Sequence, residues 1–391
     1  MPSLVQPLSA FDSISASLPL IQSEAVDLNA AFGRILRAPI CADRPVPPFD
    51  RAMMDGIAID STAKLKQWKI AGIQAAGEPA AQLTATDQCF EIMTGAILPA
   101  GCDCVIPIEA IEIAQGQAKL KCEETYNRGN FIHTTASDHQ PGSVLVDSGS
   151  LLRAPELSIA ASCGATQVQV SLLPRITLIT SGDEVVPPNQ TPLDYQIRAS
   201  HPTAIRSIII SNQLGTLNHL HIADDEDATR QAITQALDSS DAVILTGGVS
   251  KGKFDYIAPI LRELAGAPLF HGVSQRPGKP LGYFFRDIPI FALPGNPLSV
   301  MACMARYVVP ALRQMLGAPS EICELPLAAE SKTLPHLTHL LAAKIENGQI
   351  HPSAPNNSGD YSALLACQGV VEMHPAETPL AAGSRCKFYP W

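Results

Sequence analysis

Positive charge and long apolar runs are what this chain lacks most clearly. Its 391 residues include 27 Lys and Arg against 37 Asp and Glu, which gives a formal net charge of −10 at pH 7. This balance argues against general binding to nucleic acid or to an acidic membrane surface. No uninterrupted apolar run reaches the roughly 20 residues that a membrane-spanning helix needs. We therefore expect neither nucleic acid nor a membrane among the partners.

A secretion signal is also missing from the first residues, MPSLVQPLSAFDS, which contain neither a basic nor an apolar stretch. Cysteine occurs ten times, but the only close pair is Cys102 and Cys104. No second pair follows at a zinc-ligand spacing, so the pattern gives little support for a metal. We expect a cytoplasmic protein with reduced, structural thiols.

Charged residues are few, at 16%, whereas apolar residues make up 46% of the chain, which excludes disorder and indicates a globular protein. A chain of this length should form two to four domains. The 33 prolines and 26 glycines are spread along it and predict many turns and short strands.

Local patterns predict three regions, at residues 1–172, 173–321 and 322–391. The first begins with a helix near residues 8–19 and continues as two interleaved β-rich subdomains, with a later helix that stops at Gly164. The last returns to short strands, including a hairpin at Asn347–Gly348. A small C-terminal β-barrel is the expected form.

The middle region alternates buried strands with amphipathic helices. Apolar runs at 176–180, 241–246 and 289–293 predict the strands, and helices are expected near 203–214 and after Asp225. Such alternation is typical of a mostly parallel, doubly wound sheet. Its ligand site lies at the carboxyl ends of the strands.

Glycine-rich, polar loops follow these strands: TSGDE (180–184), TGGVSKGKFD (246–255), RPGKP (276–280) and PGNP (294–297). Backbone amides freed by glycine beside helix N-termini can bind phosphate or another oxyanion. Arg276 and Lys279 supply positive charge. Asp183, Glu184 and Asp255 supply the oxygen ligands that Mg²⁺ prefers.

A structural explanation also applies to each of these loops. Any doubly wound protein needs glycine and polar residues at its strand ends, and one such loop by itself is more often structural. In the first region, Asp50 and Asp55 of PFDRAMMDG can be turn-capping residues. Several loops on one edge favour an anionic ligand, although their spacing does not identify it.

Six ordered motifs make the pattern specific: FD-x-x-x-MDG, MTGA-x-x-P-x-GCD-x-VIP-x-E, SGDE, GGVS, PGKP and PGNP-x-S, between about residues 30 and 316. In this order they resemble the MoeA proteins and the gephyrin E domain, whose doubly wound domain is similar to MoaB and MogA. The resemblance implies a molybdopterin molybdenumtransferase of molybdenum-cofactor biosynthesis. Such enzymes insert molybdenum from molybdate into adenylylated molybdopterin and release AMP with the help of Mg²⁺.

The resemblance also implies a homodimer of four-domain chains, with each site between the doubly wound domain of one subunit and the N-terminal region of its partner. A molybdopterin adenylyltransferase and recipient molybdoenzymes are implied partners. The residues that match the family's catalytic positions are Asp55, Thr94, Asp138 and Asp224. The implied metal ligands are Glu184 and Asp255. The implied cofactor-binding residues are Ser181, Gly182, Asp183, Gly247, Gly248, Ser250, Arg276, Gly278, Lys279, Gly295, Asn296 and Ser299.

Four departures from the family pattern concern catalysis. Arg198 and Ala199 begin the segment where the family has Y-D-[ST]-N, and Lys251 and Lys253 alter the GGVS loop. His133 replaces an arginine, and HLTHLLAAKI near residue 340 lacks the family's F-x-R-G arginine. The chain could accordingly be an altered insertase or a non-catalytic molybdopterin-binding carrier or scaffold. An unrelated nucleotide-binding transferase is a third interpretation, against which the MDG and TGA motifs argue.

Overall fold

The computed structural model describes residues 4–247, 256–353, 355, 357 and 359–391. Contacts between Cα atoms divide the chain into two compact units. Unit 1 contains Met1–Ala38, Ser148–Ala154 and Gln167–Trp391, and unit 2 contains Pro39–Asp147 and Pro155–Thr166.

Seven α-helices form in the described part of the chain. They are α1 (Pro7–Ser17), α2 (Ala154–Ser162), α3 (His201–Ser211), α4 (Glu226–Ser239), α5 (Ile257–Ala265), α6 (Pro297–Cys303) and α7 (Val309–Met315). A π-helical turn, Met304–Val308, joins α6 to α7. Short 3-10 turns occupy Leu28–Ala30, Ser61–Ala63, Ile108–Ala110 and Tyr361–Leu364.

Most strands are short, as the many prolines and glycines predict. Those of the first half are β1 (Ser23–Asp27), β2 (Ile40–Cys41), β3 (Arg51–Ala52), β4 (Gly56–Ile59), β5 (Gln67–Gln74), β6 (Gln88–Ile92), β7 (Cys104–Pro107), β8 (Ile111–Ala114), β9 (Gln117–Leu120), β10 (Ile132–His133), β11 (Val144–Val146) and β12 (Gln167–Ser171). Those of the second half are β13 (Arg175–Ser181), β14 (Val185–Val186), β15 (Ile197–Arg198), β16 (Thr216–Ile222), β17 (Ala242–Thr246), β18 (Phe270–His271), β19 (Gln275–Arg276), β20 (Gly282–Arg286), β21 (Ile288–Leu293), β22 (Cys323–Pro326), β23 (Thr338–Glu346), β24 (Gln349–Pro352), β25 (Gly369–Met373) and β26 (Arg385–Pro390).

Unit 2 is built on a six-stranded sheet in the order β7-β4-β6-β5-β9-β8. Strand β4 is buried along its whole length, and its Ile57 packs with Trp68 and Ile106 in the core. Two small antiparallel pairs, β3 with β10 and β2 with β11, extend this unit. The β3–β10 pair places Arg51 opposite His133, and both residues belong to the candidate site.

The doubly wound sheet predicted from the sequence is confirmed in unit 1. Its strand order is β16-β13-β17-β21-β20-β18, in which the first four strands are parallel and β20 is antiparallel to its neighbours. Strand β17 is buried throughout, as its apolar run predicts. Because β13, β17 and β21 are parallel neighbours, the loops after them leave the same edge of the sheet.

The helices of this sheet follow their sequence signals. Asp225 caps α4, since its carboxylate accepts a hydrogen bond from the backbone N–H of Ala228 at 2.8 Å. Helix α3 begins at His201, earlier than the predicted residue 203. Pro202 lies in its first turn, where a missing N–H costs nothing, and this explains the early start. Strand β16 is not among the predicted strands, because it is an edge strand in which Ile222 is the one buried residue.

The N-terminal segment contributes to the core of unit 1. Ala10 and Ile14 of α1, together with Ile35, pack in one cluster with side chains of the doubly wound sheet. Strand β1 pairs antiparallel with β12. The predicted boundaries at residues 172 and 321 are not decided by these contacts and stay a prediction.

The C-terminal strands form a sheet in the order β19-β23-β25-β26-β22, with β24 paired to β23. Asn347 and Gly348 join β23 to β24 with φ values of 51° and 72°, the left-handed pair that a two-residue hairpin requires. The predicted hairpin is therefore confirmed. Closure of this sheet into a barrel stays a prediction.

Candidate active site

Three of the predicted loops meet at the carboxyl edge of the doubly wound sheet. Gly247 follows β17 with φ +86°, and a Cβ there would lie 3.2 Å from the backbone oxygen of Ser181 and 3.3 Å from its Oγ. A Cβ on Gly295, after β21, would lie 3.7 Å from the Cα of Gly247. Glycine therefore allows the backbones after β13, β17 and β21 to approach closely. Such close approach of glycine backbone at strand ends is one element of a backbone cradle for an oxyanion.

The SGDE loop and Asp224, which follows β16, place three carboxylates at the same edge. Gly182 has a φ of +128°, and a Cβ on it would lie 2.5 Å from the Oε2 of Glu184. The carboxylate of Glu184 therefore folds back over the backbone of Gly182. Asp183 accepts a hydrogen bond from the backbone N–H of Asp224 at 3.2 Å. Asp183, Glu184 and Asp224 are all exposed. The structure thus brings together carboxylates that lie 40 residues apart in the chain.

The PGNP loop contributes backbone more than side chains. Gly295 and Asn296 are exposed, whereas Ser299 is buried within α6 with 4% of its surface accessible. At this depth Ser299 packs inside the protein, and its direct contact with a ligand stays a prediction. Pro297 occupies the first turn of α6, where proline favours helix initiation.

The RPGKP loop presents two exposed cations, Arg276 and Lys279. Between them Gly278 has φ +87°, and a Cβ there would lie 2.7 Å from both the Sγ of Cys303 and the Nε2 of Gln275. Glycine is thus required by the backbone conformation and by the close packing beneath it. The loop holds its cations at the surface on a rigid base.

Arg276 also borders a cavity of about 590 Å³ in unit 1, whose other wall is the segment near residue 340. Leu340 and Leu341 line it where the family pattern has an arginine region. His339 lines it as well, and its buried Nδ1 has no hydrogen-bond partner within the described chain. Burial lowers the pKa of His339, and Arg276 acts in the same direction. None of the β23 residues that line this cavity is an arginine or lysine, and its lining cations are Arg276 and Lys332.

In unit 2, Asp55 and Thr94 form a single hydrogen-bonded pair. The backbone N–H and the hydroxyl of Thr94 donate to the same oxygen of Asp55, at 2.6 and 2.8 Å. These bonds, the backbone bond first, lower the pKa of Asp55 below its ordinary value. The MDG and MTGA motifs therefore come together in space, and Asp55 is an oriented carboxylate anion near neutral pH.

Asp138 is held by a chain of side chains that the sequence did not reveal. The His133 Nε2 lies 2.8 Å from a carboxylate oxygen of Asp138, and the Nη2 of Arg51 lies 3.1 Å from the His133 Nδ1. An arginine can only donate, so Nδ1 is the acceptor and the Nε2–H donates to Asp138. The hydrogen bond from His133 is the main cause of the lowered pKa of Asp138. Arg51 is recognised as the partner of His133 only from the register of β3 with β10, in which the two residues lie opposite each other.

Asp50 has a structural function in the same unit. Its carboxylate accepts hydrogen bonds from the backbone N–H and the hydroxyl of Thr135, both at 2.7 Å. This joins the loop before β3 to the loop that contains Asp138. These bonds join Asp50 to a residue 85 positions away, so they connect two loops and do not cap the turn that contains Asp50.

Several predicted site residues lie outside the described part of the chain: Gly248, Ser250, Lys251, Lys253 and Asp255. Within the described part, no three His, Cys, Asp or Glu side chains are grouped as metal ligands. Arg198 is exposed on β15, where its Nε donates to the backbone oxygen of Gln190 at 3.2 Å.

The close pair Cys102 and Cys104 has the burial of structural cysteines. All ten cysteines are free, and Cys102 and Cys104 are buried. Burial raises the pKa of each of these two thiols to about 12. A thiol that stays protonated at neutral pH is neither a nucleophile nor a ready metal ligand. Among the described helices, none has the length and apolar character that crossing a membrane requires.

Comparison with known proteins identifies the family. Residues 6–164 match the family model of the MoeA N-terminal region (domain I and II), and residues 177–314 match that of a probable molybdopterin binding domain. A molybdopterin molybdenumtransferase of Synechocystis sp. (strain ATCC 27184 / PCC 6803 / Kazusa) is 34% identical over 400 residues, covering 99% of this chain and 100% of the relative. The chain belongs to the molybdopterin molybdenumtransferase family. The resemblance seen in the six motifs is confirmed.

Other members of the molybdopterin molybdenumtransferase family agree over most of the chain. The protein of Staphylococcus aureus (strain Mu50 / ATCC 700699) is 28% identical over 384 residues, covering 94% of this chain and 90% of the relative. The crystal structure of a molybdopterin biosynthesis MoeA protein from Pyrococcus horikosii has a TM-score of 0.82 at 26% identity, covering 99% of each chain. A second structure, described as from Pyrococcus horikoshii OT3, has a TM-score of 0.86 at 23% identity over the whole of both chains and supports the fold.

Proposed function

We propose that this chain inserts molybdenum from molybdate into adenylylated molybdopterin and releases AMP. The observation that carries the proposal is the cradle formed by Ser181, Gly247 and Gly295. It lies in the part of the chain that matches a probable molybdopterin binding domain. Backbone amides at the ends of parallel strands suit the phosphate groups of such a substrate.

The strand-end loops would bind the anionic part of the substrate. Glycine-freed backbone would approach its phosphates, and Arg276 and Lys279 would neutralise their charge. The chain has a net charge of −10, so a local basic site is needed to hold an anion. The proposed binding set is Ser181, Gly182, Asp183, Gly247, Gly248, Ser250, Arg276, Gly278, Lys279, Gly295, Asn296 and Ser299.

The donor groups at this edge fit Mg²⁺, which takes oxygen ligands and usually reaches phosphates through one or two carboxylates. Glu184 is exposed at the strand ends beside Asp183 and Asp224. We propose Glu184 and Asp255 as its ligands. When bound, Mg²⁺ would neutralise the charge that develops as the phosphate bond breaks.

Asp55 and Asp138 would act at the reacting end of the substrate. Both carboxylates have lowered pKa values and fixed orientations, because Thr94 holds one and His133 holds the other. An oriented carboxylate anion accepts hydrogen bonds from the thiol or hydroxyl groups of a ligand and can receive their protons. Asp224, whose backbone N–H bonds to Asp183, would act beside the phosphates.

We also propose that the protein works in the cytoplasm as a homodimer. Its substrate would come from a molybdopterin adenylyltransferase and its product would pass to molybdoenzymes. The family resemblance supports these steps, since the chain matches its Synechocystis relative from end to end.

The deciding experiment is an incubation of the full chain with adenylylated molybdopterin, molybdate and Mg²⁺, followed by assays of AMP and of active cofactor. We expect molybdate-dependent AMP release. Asp55→Ala should lower it about a hundredfold or more, the usual contribution of a positioned acid or base. Asp87→Ala, an exposed carboxylate of the same unit, is the matched control. Substrate binding without AMP release would instead show the carrier function.

A further inference from the structure

A second cavity, of about 450 Å³, lies within unit 2 and is separate from the strand-end loops. Its walls include the rings of Tyr126 and Phe131 together with Met54, and we call it the Tyr126–Phe131 cavity. The two rings are tilted by 45° with their centroids 6.4 Å apart. A cavity of this size, with apolar walls and a few polar groups, is typical of a site for a small ligand.

The cavity is built from the loop that carries Asp55. The backbone N–H of Met53 donates to the oxygen of Phe131 at 2.9 Å, and that of Ile108 donates to the oxygen of Asp55 at 2.9 Å. The backbone on both sides of Met54 is therefore tied to two walls of the cavity. A ligand ring in this cavity would lie next to the Asp55 loop.

Phe131 is exposed in a backbone conformation that disfavours it. Its φ is +54°, in the left-handed region that glycine adopts readily and bulky residues avoid. Its side chain keeps 36% of its surface accessible, so burial in a core does not explain the aromatic residue. An exposed ring held in this conformation at the wall of a cavity indicates a contact surface for a ligand.

The polar groups of the cavity select a particular edge of a planar ring. Glu109, Lys121 and Glu124 are among the residues that line it, so the walls contribute two acidic side chains and one basic side chain. The Tyr126 hydroxyl donates a hydrogen bond to the Glu124 carboxylate at 2.7 Å, which orients that carboxylate. The Lys121 Nζ donates to the backbone oxygen of Glu109 at 3.0 Å, which orients the ammonium. Carboxylates accept paired N–H donors, and an ammonium donates to a carbonyl.

We propose that the Tyr126–Phe131 cavity binds the pterin ring of the substrate, an inference that rests on the proposed function. The pyrimidinone edge of a pterin presents an amino group, a ring N–H and a carbonyl side by side, which matches the carboxylates and Lys121. Adenine, the other planar ring of the substrate, has no ring N–H and no carbonyl at that edge. The aromatic walls would stack on either ring, and the polar groups would favour the pterin over adenine.

Cys122 provides a direct test, because it lines the cavity and is exposed, and Cys41 of the same unit is the second exposed thiol. The full chain is alkylated with a maleimide in the presence of 6-hydroxymethylpterin or adenosine, and the rate at each cysteine is measured by mass spectrometry. We expect the pterin to slow alkylation of Cys122 with saturation and to leave Cys41 unaffected. Equal protection of Cys122 by adenosine would overturn the proposal.

Phe131→Gly separates the binding role from a structural one. Glycine suits φ +54°, so the variant keeps the backbone while losing the ring. The dissociation constant for the pterin, from the protection of Cys122, should rise about tenfold, as for other bases that lose a stacking partner. Ile113→Ala is the matched control, since Ile113 is a 38% exposed apolar residue of the same unit and lies outside the cavity. An unchanged constant in Phe131→Gly would overturn the proposal.

The two proposals fail in different ways. If the pterin protects Cys122 no better than adenosine does while the native chain releases AMP, the Tyr126–Phe131 cavity is not the pterin site and the proposed function stands. If the pterin protects Cys122 as expected but molybdate causes no AMP release, the cavity assignment stands and the insertase function fails.

Discussion

At the scale of single residues, His133 changes how Asp138 is held. The family has an arginine at this position, which would contact a carboxylate with a full positive charge. Here a histidine donates to Asp138, and the guanidinium of Arg51 lies on its other side. The positive charge is thus one imidazole further from Asp138. In this chain the orientation of the Asp138 carboxylate is set by the hydrogen bond from His133.

The first prediction concerns the acid titration of Asp138. Its pKa is below the ordinary 3.8, mainly because His133 donates to the carboxylate. The stability that this bond contributes is present above pH 3.8 and is lost as the pH falls through the lower pKa of the folded state. His133→Ala should raise the pKa of Asp138 toward 3.8, as measured by NMR of the carboxyl carbon.

His139→Ala is the control for this titration. His139 is a weaker cause of the same lowered pKa of Asp138, so its removal should move the pKa less than His133→Ala does. Equal effects of the two substitutions would show that general charge near Asp138, and not the hydrogen bond, sets its pKa.

The second prediction concerns Lys279, the exposed lysine of the RPGKP loop. A charge-assisted contact with a phosphate is worth about 1.5–3 kcal/mol. Lys279→Ala should therefore raise the dissociation constant of adenylylated molybdopterin about ten- to a hundredfold, as measured by titration calorimetry. Arg286→Ala, an exposed cation at the end of β20, should leave the constant unchanged. If Lys279→Ala also leaves the dissociation constant at the native value, Lys279 does not contact the ligand.

At the scale of secondary-structure elements, a buried ion pair fastens the π-helical turn to the C-terminal sheet. The Arg306 Nε lies 2.6 Å from a carboxylate oxygen of Glu372, and the hydroxyl of Tyr389 donates to the same oxygen at 2.6 Å. The Arg306 guanidinium also lies 4.6 Å from the centre of the Tyr389 ring. The two ionic side chains are 3% and 4% exposed, so each depends on the other for compensation of its charge.

The third prediction follows from this burial. Arg306→Met leaves Glu372 charged and unpaired, and should lower the free energy of unfolding by about 3–5 kcal/mol in denaturant titrations. A second substitution, Glu372→Leu, in the same chain should recover much of the loss, because no uncompensated charge then remains. A small loss for Arg306→Met alone would show that water or another group reaches Glu372.

The strands themselves differ in how well the sequence predicts them. Strands β13, β17 and β21 are buried apolar runs, and the local sequence of each run predicts a strand. Strand β16 is not among the predicted strands, since polar residues such as His219 and His221 interrupt its apolar residues and it has no continuous apolar run. An edge strand is fixed by pairing with its neighbour, here β13, and this pairing is not visible in local sequence.

At the scale of the whole molecule, the fourth prediction is a homodimer. The family resemblance implies that a second copy of the chain completes the site. Sedimentation equilibrium at micromolar concentration should give twice the 41.5 kDa of one chain. A single species at the mass of one chain would overturn both the dimer and the shared site. Asp55→Ala, which alters an exposed side chain outside the core, should sediment as the native chain does.

The sequence by itself determined the doubly wound sheet, the glycine loops at its strand ends and the family, because these depend on local periodicity and on ordered motifs. Only the tertiary structure decided that α1 packs into the core of unit 1, that Arg51 reaches His133, and that Tyr126 and Phe131 face one cavity. Each of these depends on strand register and on contacts between distant segments. Local sequence patterns do not specify such contacts, since a residue's neighbours in space are set by the fold.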